Sequence, residues 1–181
     1  MILRREHCSV MIKIVITGPE STGKSTLTAS LAKHYNAAWV KEYAREYLEK
    51  IKQPYELNDV LEMAKIQFEK EQEATKNTST ILFLDTDLTV FKVWLKEKYN
   101  TEIDWIENEV KQSSDKIFFI CDIDIPWQED PLREHPNLED RKRIFNRYVQ
   151  IMEENHFNYH IINGNQVTRL KKCIEIVDNL N

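Results

Sequence analysis

Residues 18–26 read GPESTGKST, and no other stretch of the 181-residue sequence restricts the possible folds as much. The chain has only three glycines, and Gly18 and Gly23 take both glycine positions of G-x-x-x-x-G-K-[ST]. That spacing lets successive backbone N–H groups turn inward around an anion at a helix N-terminus, where the helix dipole also favours negative charge. Such a loop needs a strand before it and a helix after it. Ile12 to Thr17 (IKIVIT) supplies a β-branched run, and Ser25 to Tyr35 carries helical spacing through Leu27, Leu31 and Ala32. In this arrangement Lys24 reaches the β and γ phosphates of a nucleoside triphosphate, and the hydroxyl of Ser25 binds Mg²⁺. The candidate ATP-binding residues are therefore Gly18, Pro19, Glu20, Ser21, Thr22, Gly23, Lys24, Ser25 and Thr26.

The remaining sequence alternates in the same way. Short strands are predicted at 37–40, 79–84 (STILFL), 116–121 (KIFFIC) and 158–162 (NYHII). Helical, charge-rich or amphipathic stretches fill 42–51, the span from Pro54 to about Lys76, and then 88–99, 103–112, 138–154 and 167–180. Alternation of this kind implies a three-layer α/β fold, a five-stranded parallel sheet with helices on both faces. Ligands of such sheets bind beyond the carboxyl ends of the strands, so the segments of interest are 41–46, 85–87, 122–136 and 163–166 as well as the glycine loop. The stretch 122–136 (DIDIPWQEDPLREHP) holds three of the five prolines and is expected to be a loop.

Several side chains in these segments are candidates for chemistry, each with a plainer alternative. Asp85 ends an apolar strand, which suits holding Mg²⁺ directly or through water; the alternative, a cap on the next helix, fits Asp87 better. Asp87 is either that cap or a substrate contact. Glu42 and Arg45 follow the second strand, where a base or a substrate clamp would reach across a cleft, although an exposed i, i+3 pair looks the same. Arg133, with Arg141 and Arg143, offers guanidinium forks that neutralise charge on a transferring phosphoryl group, or else decorates a solvated loop. Trp127 stands between Pro126 and Gln128, a poor setting for a core residue and a suitable one for covering a flat ring.

Bulk properties narrow the classes further. At 181 residues with 41% hydrophobic content, one domain spanning 1–181 is expected, with residues 1–10 as an extension and Met11 as an alternative start. A net charge of −5 argues against a nucleic-acid binder. Cys8, Cys121 and Cys173 have neither zinc-site nor disulfide-framework spacing, and no apolar run reaches the roughly 18 residues of a membrane span, so a cytoplasmic chain with small-molecule partners is expected. No oligomeric state is read from the sequence.

Taken together, GPESTGKSTL, KEYAREY at 41–47, LDTD at 84–87, F-x-V-W at 91–94 and D-I-P-W-x-x-D-x-x-R at 124–133 resemble the ribosylnicotinamide kinase domain of the bacterial NAD-regulator (NadR-like) proteins. That group is related to thymidylate and deoxynucleoside kinases. The resemblance covers nearly the whole chain and implies a P-loop kinase fold with a short lid at about 122–141. It implies transfer of the γ-phosphoryl of ATP, with Mg²⁺, to the 5′-hydroxyl of nicotinamide riboside. It further implies Lys24 and Ser25 at the triphosphate, either Glu42 or Asp85 as the base, and Arg133 and Arg141 on the lid. Asn163, Gly164 and Gln166 would lie at the adenine, while Tyr43, Arg45, Asp87, Trp94 and Trp127 would meet the acceptor. The sequence departs from the family's regulators in having no H-x-G-H signature and only about ten residues before the first strand, so neither adenylyl transfer nor DNA binding is expected of this chain alone. Pro131 also stands where the family pattern leads one to expect glycine, which implies a stiffer lid. Kinases for other nucleosides or nucleoside monophosphates share every phosphate-handling residue and remain the alternative. A regulatory ATPase is the other alternative, although the guanine-reading N-K-x-D and the ABC-type signature are both missing.

Overall fold

The computed structural model describes residues 11–51 and 54–180. The proposed extension 1–10, with Cys8, lies outside the described residues. The elements are β1 (Ile12–Thr17), α1 (Lys24–Tyr35), β2 (Ala38–Val40), α2 (Tyr43–Lys50), α3 (Leu57–Asn77), β3 (Ile81–Asp85), α4 (Leu88–Tyr99), α5 (Asp104–Lys111), β4 (Lys116–Cys121), α6 (Leu138–Glu154), β5 (Asn158–Ile162) and α7 (Gln166–Asp178). The described strands form one five-stranded sheet in the order β2-β3-β1-β4-β5, with every pairing parallel. This is the expected α/β architecture. No helix among the described residues is long and apolar enough to cross a membrane.

The strands read as continuous apolar runs because both faces are covered. Successive side chains alternate between two cores. Val15, Leu82, Leu84, Phe118 and Ile120 face α3, α4, α5 and α6, where they meet Met63, Phe91, Ile106 and Ile144. Ile14, Ile16, Phe83 and Phe119 face the other way, toward Leu27 and Leu31 of α1 and Cys173 and Val177 of α7. Leu82 and Phe83 are both fully buried, and truncating either to alanine would cost about 2–5 kcal/mol. A central strand therefore tolerates no polar substitution on either face, and the carboxyl ends of β1, β3 and β4 are held in fixed register. The register aligns Ile16 with both Asp85 and Phe119, which puts the loops that leave these strands side by side.

Boundaries differ from expectation in one consequential place. β3 runs to Asp85, so its carboxylate is carried on the last strand position and not on a loop. Thr86 then adopts φ +70° and turns the chain sharply, so Asp87 is carried back against the sheet. Residues 122–137 contain no regular element, as the prolines require.

Candidate active site

One cleft of ≈ 690 Å³ runs along the carboxyl ends of the strands, with the glycine loop at one end and α2, α4 and the proline-rich lid at the other. Its phosphate end is shaped by backbone. Gly18 has φ +129°, and a Cβ there would stand 2.8 Å from the Cys121 carbonyl oxygen, so only glycine lets the loop cross the end of β4. Gly23, at φ +76°, is the N-cap of α1 in a left-handed conformation, which points the first free N–H groups of the helix into the loop. Lys24 Nζ folds back on the loop and donates to the Pro19 carbonyl at 2.9 Å. Thr22 Oγ1 donates to the same oxygen at 2.7 Å, which tightens the turn.

Asp85 is withdrawn from the cleft and only 2% exposed. Its carboxylate lies beside the Ser25 side chain and the Glu42 backbone. Burial pushes its pKa up, against the lowering effects of Ser25 and Lys24. Oδ1 is buried and has no hydrogen-bond partner among the described residues. A buried, unpaired carboxylate oxygen beside the Ser25 hydroxyl is the pair of oxygen donors that a hard divalent cation takes, and a phosphate-bound Mg²⁺ needs few protein ligands. Ser25 and Asp85 therefore fit Mg²⁺.

Glu42 lines the cleft between its two ends. Burial raises its pKa, an effect that Lys24 offsets and Asp85 reinforces. A carboxylate whose pKa is raised in a cleft, beside a lysine and a second carboxylate, is suited to accept a proton.

The lid is held by side chains of the glycine loop. Ser21 Oγ accepts from the Gln128 N–H at 2.9 Å and from Arg133 Nη1 at 3.3 Å. Glu20 accepts from the N–H groups of Glu134, at 2.9 Å, and His135, at 3.2 Å, and its carboxylate lies 3.6 Å from the His135 ring. That last separation exceeds a hydrogen bond, so it is an electrostatic pairing. Glu20 raises the His135 pKa. Burial alone would raise Glu20, and its bonds to His135 and Glu134 bring it down instead. Arg141 is buried and reaches the carbonyls of Ser21 and Ile125 through Nη2 at 3.5 and 3.3 Å.

At the other end Trp94 and Tyr55 line the cleft, with the Trp94 indole N–H donating to the Tyr55 hydroxyl at 3.0 Å. The Tyr55 hydroxyl donates to Glu134 of the lid at 2.6 Å, and Lys98 pairs with the same carboxylate at 2.7 Å. Arg45 bridges to Asp130 of the lid at 2.9 Å. Glu97, 6% exposed by side chain, is held by Arg143 and Arg147.

Four expected site residues are placed elsewhere, and a fifth only borders the cleft. Asp87 does not line it: its carboxylate caps α4 through the Thr89 N–H at 3.0 Å and pairs with the buried Lys116 at 2.9 Å, which also pairs with Glu71 at 2.8 Å. The structure thus shows the cap, because the turn at Thr86 carries Asp87 down the sheet. Tyr43 turns toward α3, where its backbone N–H donates to Gln67 and the Lys70 ammonium lies over its ring. The Trp127 ring is absent from the cleft lining; the Arg141 and Arg133 guanidinium carbons lie 5.7 and 5.9 Å from its centroid, so it stacks within the lid. Asn163 faces Lys172, whereas its neighbours Gly164, Asn165 and Gln166 line the cleft. Arg141 touches the cleft's border through its backbone partners without lining it. Sequence reasoning missed Arg169, Tyr55, Glu134 and the lid contacts of Glu20. None of the motifs quoted above includes Arg169, Tyr55 or Glu134, and nothing in the sequence pairs Glu20 of the glycine loop with the lid.

The family described as AAA domain matches residues 13–169. The trifunctional NAD biosynthesis/regulator protein NadR of Salmonella typhimurium is 26% identical over 171 residues, which is 91% of this chain and 41% of that protein. The chain thus spans less than half the length of the curated relatives it matches. A crystal structure of NadR protein in complex with NAD and AMP-PNP superposes with a TM-score of 0.72 at 23% identity, covering 96% of this chain and 49% of that one. Thymidylate kinase from Ehrlichia chaffeensis superposes with a TM-score of 0.67 at 15% identity, covering 92% and 98%. Glycine-loop geometry, strand order and sequence similarity agree: the chain belongs to the AAA domain family and is similar to the NadR proteins.

Proposed function

We propose that this chain transfers the γ-phosphoryl group of ATP to the 5′-hydroxyl of a nucleoside, and that the nucleoside is nicotinamide riboside. The observation that carries the reading is the single cleft that joins a triphosphate cradle to an aromatic, acidic pocket, with Glu42 between them. Lys24 and the N–H groups from Gly18 to Gly23 would hold the triphosphate. Ser25 and Asp85 would hold Mg²⁺, which when bound neutralises charge on the β and γ oxygens as the leaving group departs. Glu42 takes the proton of the 5′-hydroxyl while the new O–P bond forms and the bond to ADP breaks. Arg133, already pinned to Ser21, is close enough to the glycine loop to meet charge developing on the phosphoryl group.

Trp94 offers a flat face at the acceptor end, with Tyr55, whose ring carries the Lys98 ammonium at 3.7 Å, and the ion-paired Glu97 and Glu134 beside it. An aromatic face favours a cationic ring over a neutral base, which supports a nicotinamide nucleoside. The similarity to the NadR proteins supports the same acceptor. The test is a phosphorylation screen with ATP and Mg²⁺ against nicotinamide riboside, the common nucleosides and their monophosphates. Preference for nicotinamide riboside is the expected result; preference for an uncharged nucleoside would replace the acceptor, and no phosphoryl transfer to any of them would remove the kinase reading.

A further inference from the structure

Arg169 of α7 is 2% exposed, yet its guanidinium reaches three separate loops. Nε donates to the Gly164 carbonyl at 2.7 Å, after β5. Nη1 donates to the Thr22 carbonyl at 2.7 Å, inside the glycine loop. Nη2 donates to the Asp122 carbonyl at 2.9 Å and to the Asp124 carboxylate, at the start of the lid. Asp124 also accepts from the Gly164 N–H at 2.5 Å, which closes the ring of contacts. Thr22, Asp124, Gly164 and Arg169 all line the cleft.

A guanidinium is stable away from water only where its fork is fully engaged, and its planar geometry serves several acceptors at once where a lysine ammonium cannot. Here the acceptors are backbone carbonyls of loops that have different tasks. The Thr22 loop faces phosphates, and the Gly164 loop is the candidate base-side wall. We propose that Arg169 is a positioning residue that locks the base-side loop to the phosphate loop, so that the base and the triphosphate of one nucleotide are held by one rigid cradle. This deepens the ATP reading above and rests on it.

Equilibrium binding of ATP and of inorganic tripolyphosphate, both with Mg²⁺, separates this role from a general brace. Tripolyphosphate touches only the phosphate loop, whereas ATP also needs the base-side wall in register. The wild type should bind ATP more tightly than tripolyphosphate. Arg169→Met should weaken ATP by about 10-fold or more, since a mobile wall must be ordered on binding, and leave tripolyphosphate nearly unchanged. Asp124→Ala, made at the half-exposed end of the same contact, should shift the ratio in the same direction and decides the matter if Arg169→Met does not fold. Parallel weakening of both ligands, or an unchanged ratio, overturns the positioning role while leaving the kinase reading intact. A wild type that binds tripolyphosphate as well as ATP overturns the shared cradle, and one that binds neither removes the nucleotide reading and this inference together.

Discussion

The phosphate end of the cleft is made of backbone and the acceptor end is made of side chains. Between Gly18 and Lys24 the working groups are peptide N–H groups joined by the one ammonium of Lys24, and the loop's shape follows from two positive-φ glycines, Gly18 and Gly23, the first and sixth residues after β1. At the other end Arg45, Tyr55, Trp94, Glu97 and Glu134 come from α2, the α2–α3 connection, α4 and the lid, and they meet only through long-range contacts such as Tyr55 to Glu134 and Arg45 to Asp130. A backbone site is written in one short motif and is insensitive to which side chains surround it. A side-chain site depends on how helices pack, so each member can be replaced or displaced separately. The lid belongs to both, tied to the glycine loop through Glu20 and Ser21 and to the acceptor wall through Glu134 and Asp130.

That difference can be broken by mutation. Lys24→Ala should lower phosphoryl transfer by about 10³-fold or more with little change in melting temperature, because the hydrogen bond of Lys24 goes to a loop carbonyl, not to the core, and its charge acts on the phosphates. Turnover near wild type would dissolve the phosphate end as described. Asp87→Ala should do the reverse: it leaves the buried Lys116 with Glu71 as its remaining carboxylate partner and uncaps α4, a loss of about 2–4 kcal/mol in a denaturant titration, with little effect on acceptor KM in the folded fraction. A raised KM with normal stability would return Asp87 to the acceptor site.

Glu42→Gln, at the boundary of the two ends, should lower kcat by about 10²-fold and remove the acidic limb of its pH profile. The sign follows from burial, which raises the Glu42 pKa, so the base is lost as pH falls through a value above the ordinary carboxylate range. The same shift makes protonation of Glu42 stabilising: its contribution is complete below the unfolded pKa and disappears as pH rises through the folded one. A stability curve of the glutamine variant that still shows this step would assign the titration to another group, of which Asp85, also raised by burial, is the first to test.

The smallest effects discriminate the two tryptophans. Trp94→Ala should raise acceptor KM by about 5- to 30-fold, the value of a stacked aromatic and cation–π contact worth about 1–2 kcal/mol, with ATP binding unchanged. Trp127→Ala should leave acceptor KM within about 3-fold, since its ring packs on Arg133 and Arg141 and its loss is worth about 0.5–1 kcal/mol of lid order. Reversed sensitivities would mean that the lid turns Trp127 onto the ring when substrate binds.

From the sequence alone, local patterning determined the strands, the glycine loop and the identity of Lys24, Ser25 and Asp85, because each depends on a run of adjacent residues. The two covered faces of the sheet follow from the same alternation, whereas the order β2-β3-β1-β4-β5 does not, because several parallel orders satisfy it. What the tertiary structure decided is which polar side chains face the cleft. Asp85 and Asp87 are two residues apart and chemically identical, yet one touches Ser25 and the other is buried against Lys116, and the difference is the positive φ of Thr86 between them. Trp94 and Trp127 present the same indole, but only the helical one is aimed into the cleft by the packing of α4 on α3 and α6. Arg169 carries no motif at all, because its guanidinium donates to carbonyls of three loops that lie far apart in the chain and meet only at the carboxyl ends of a folded sheet.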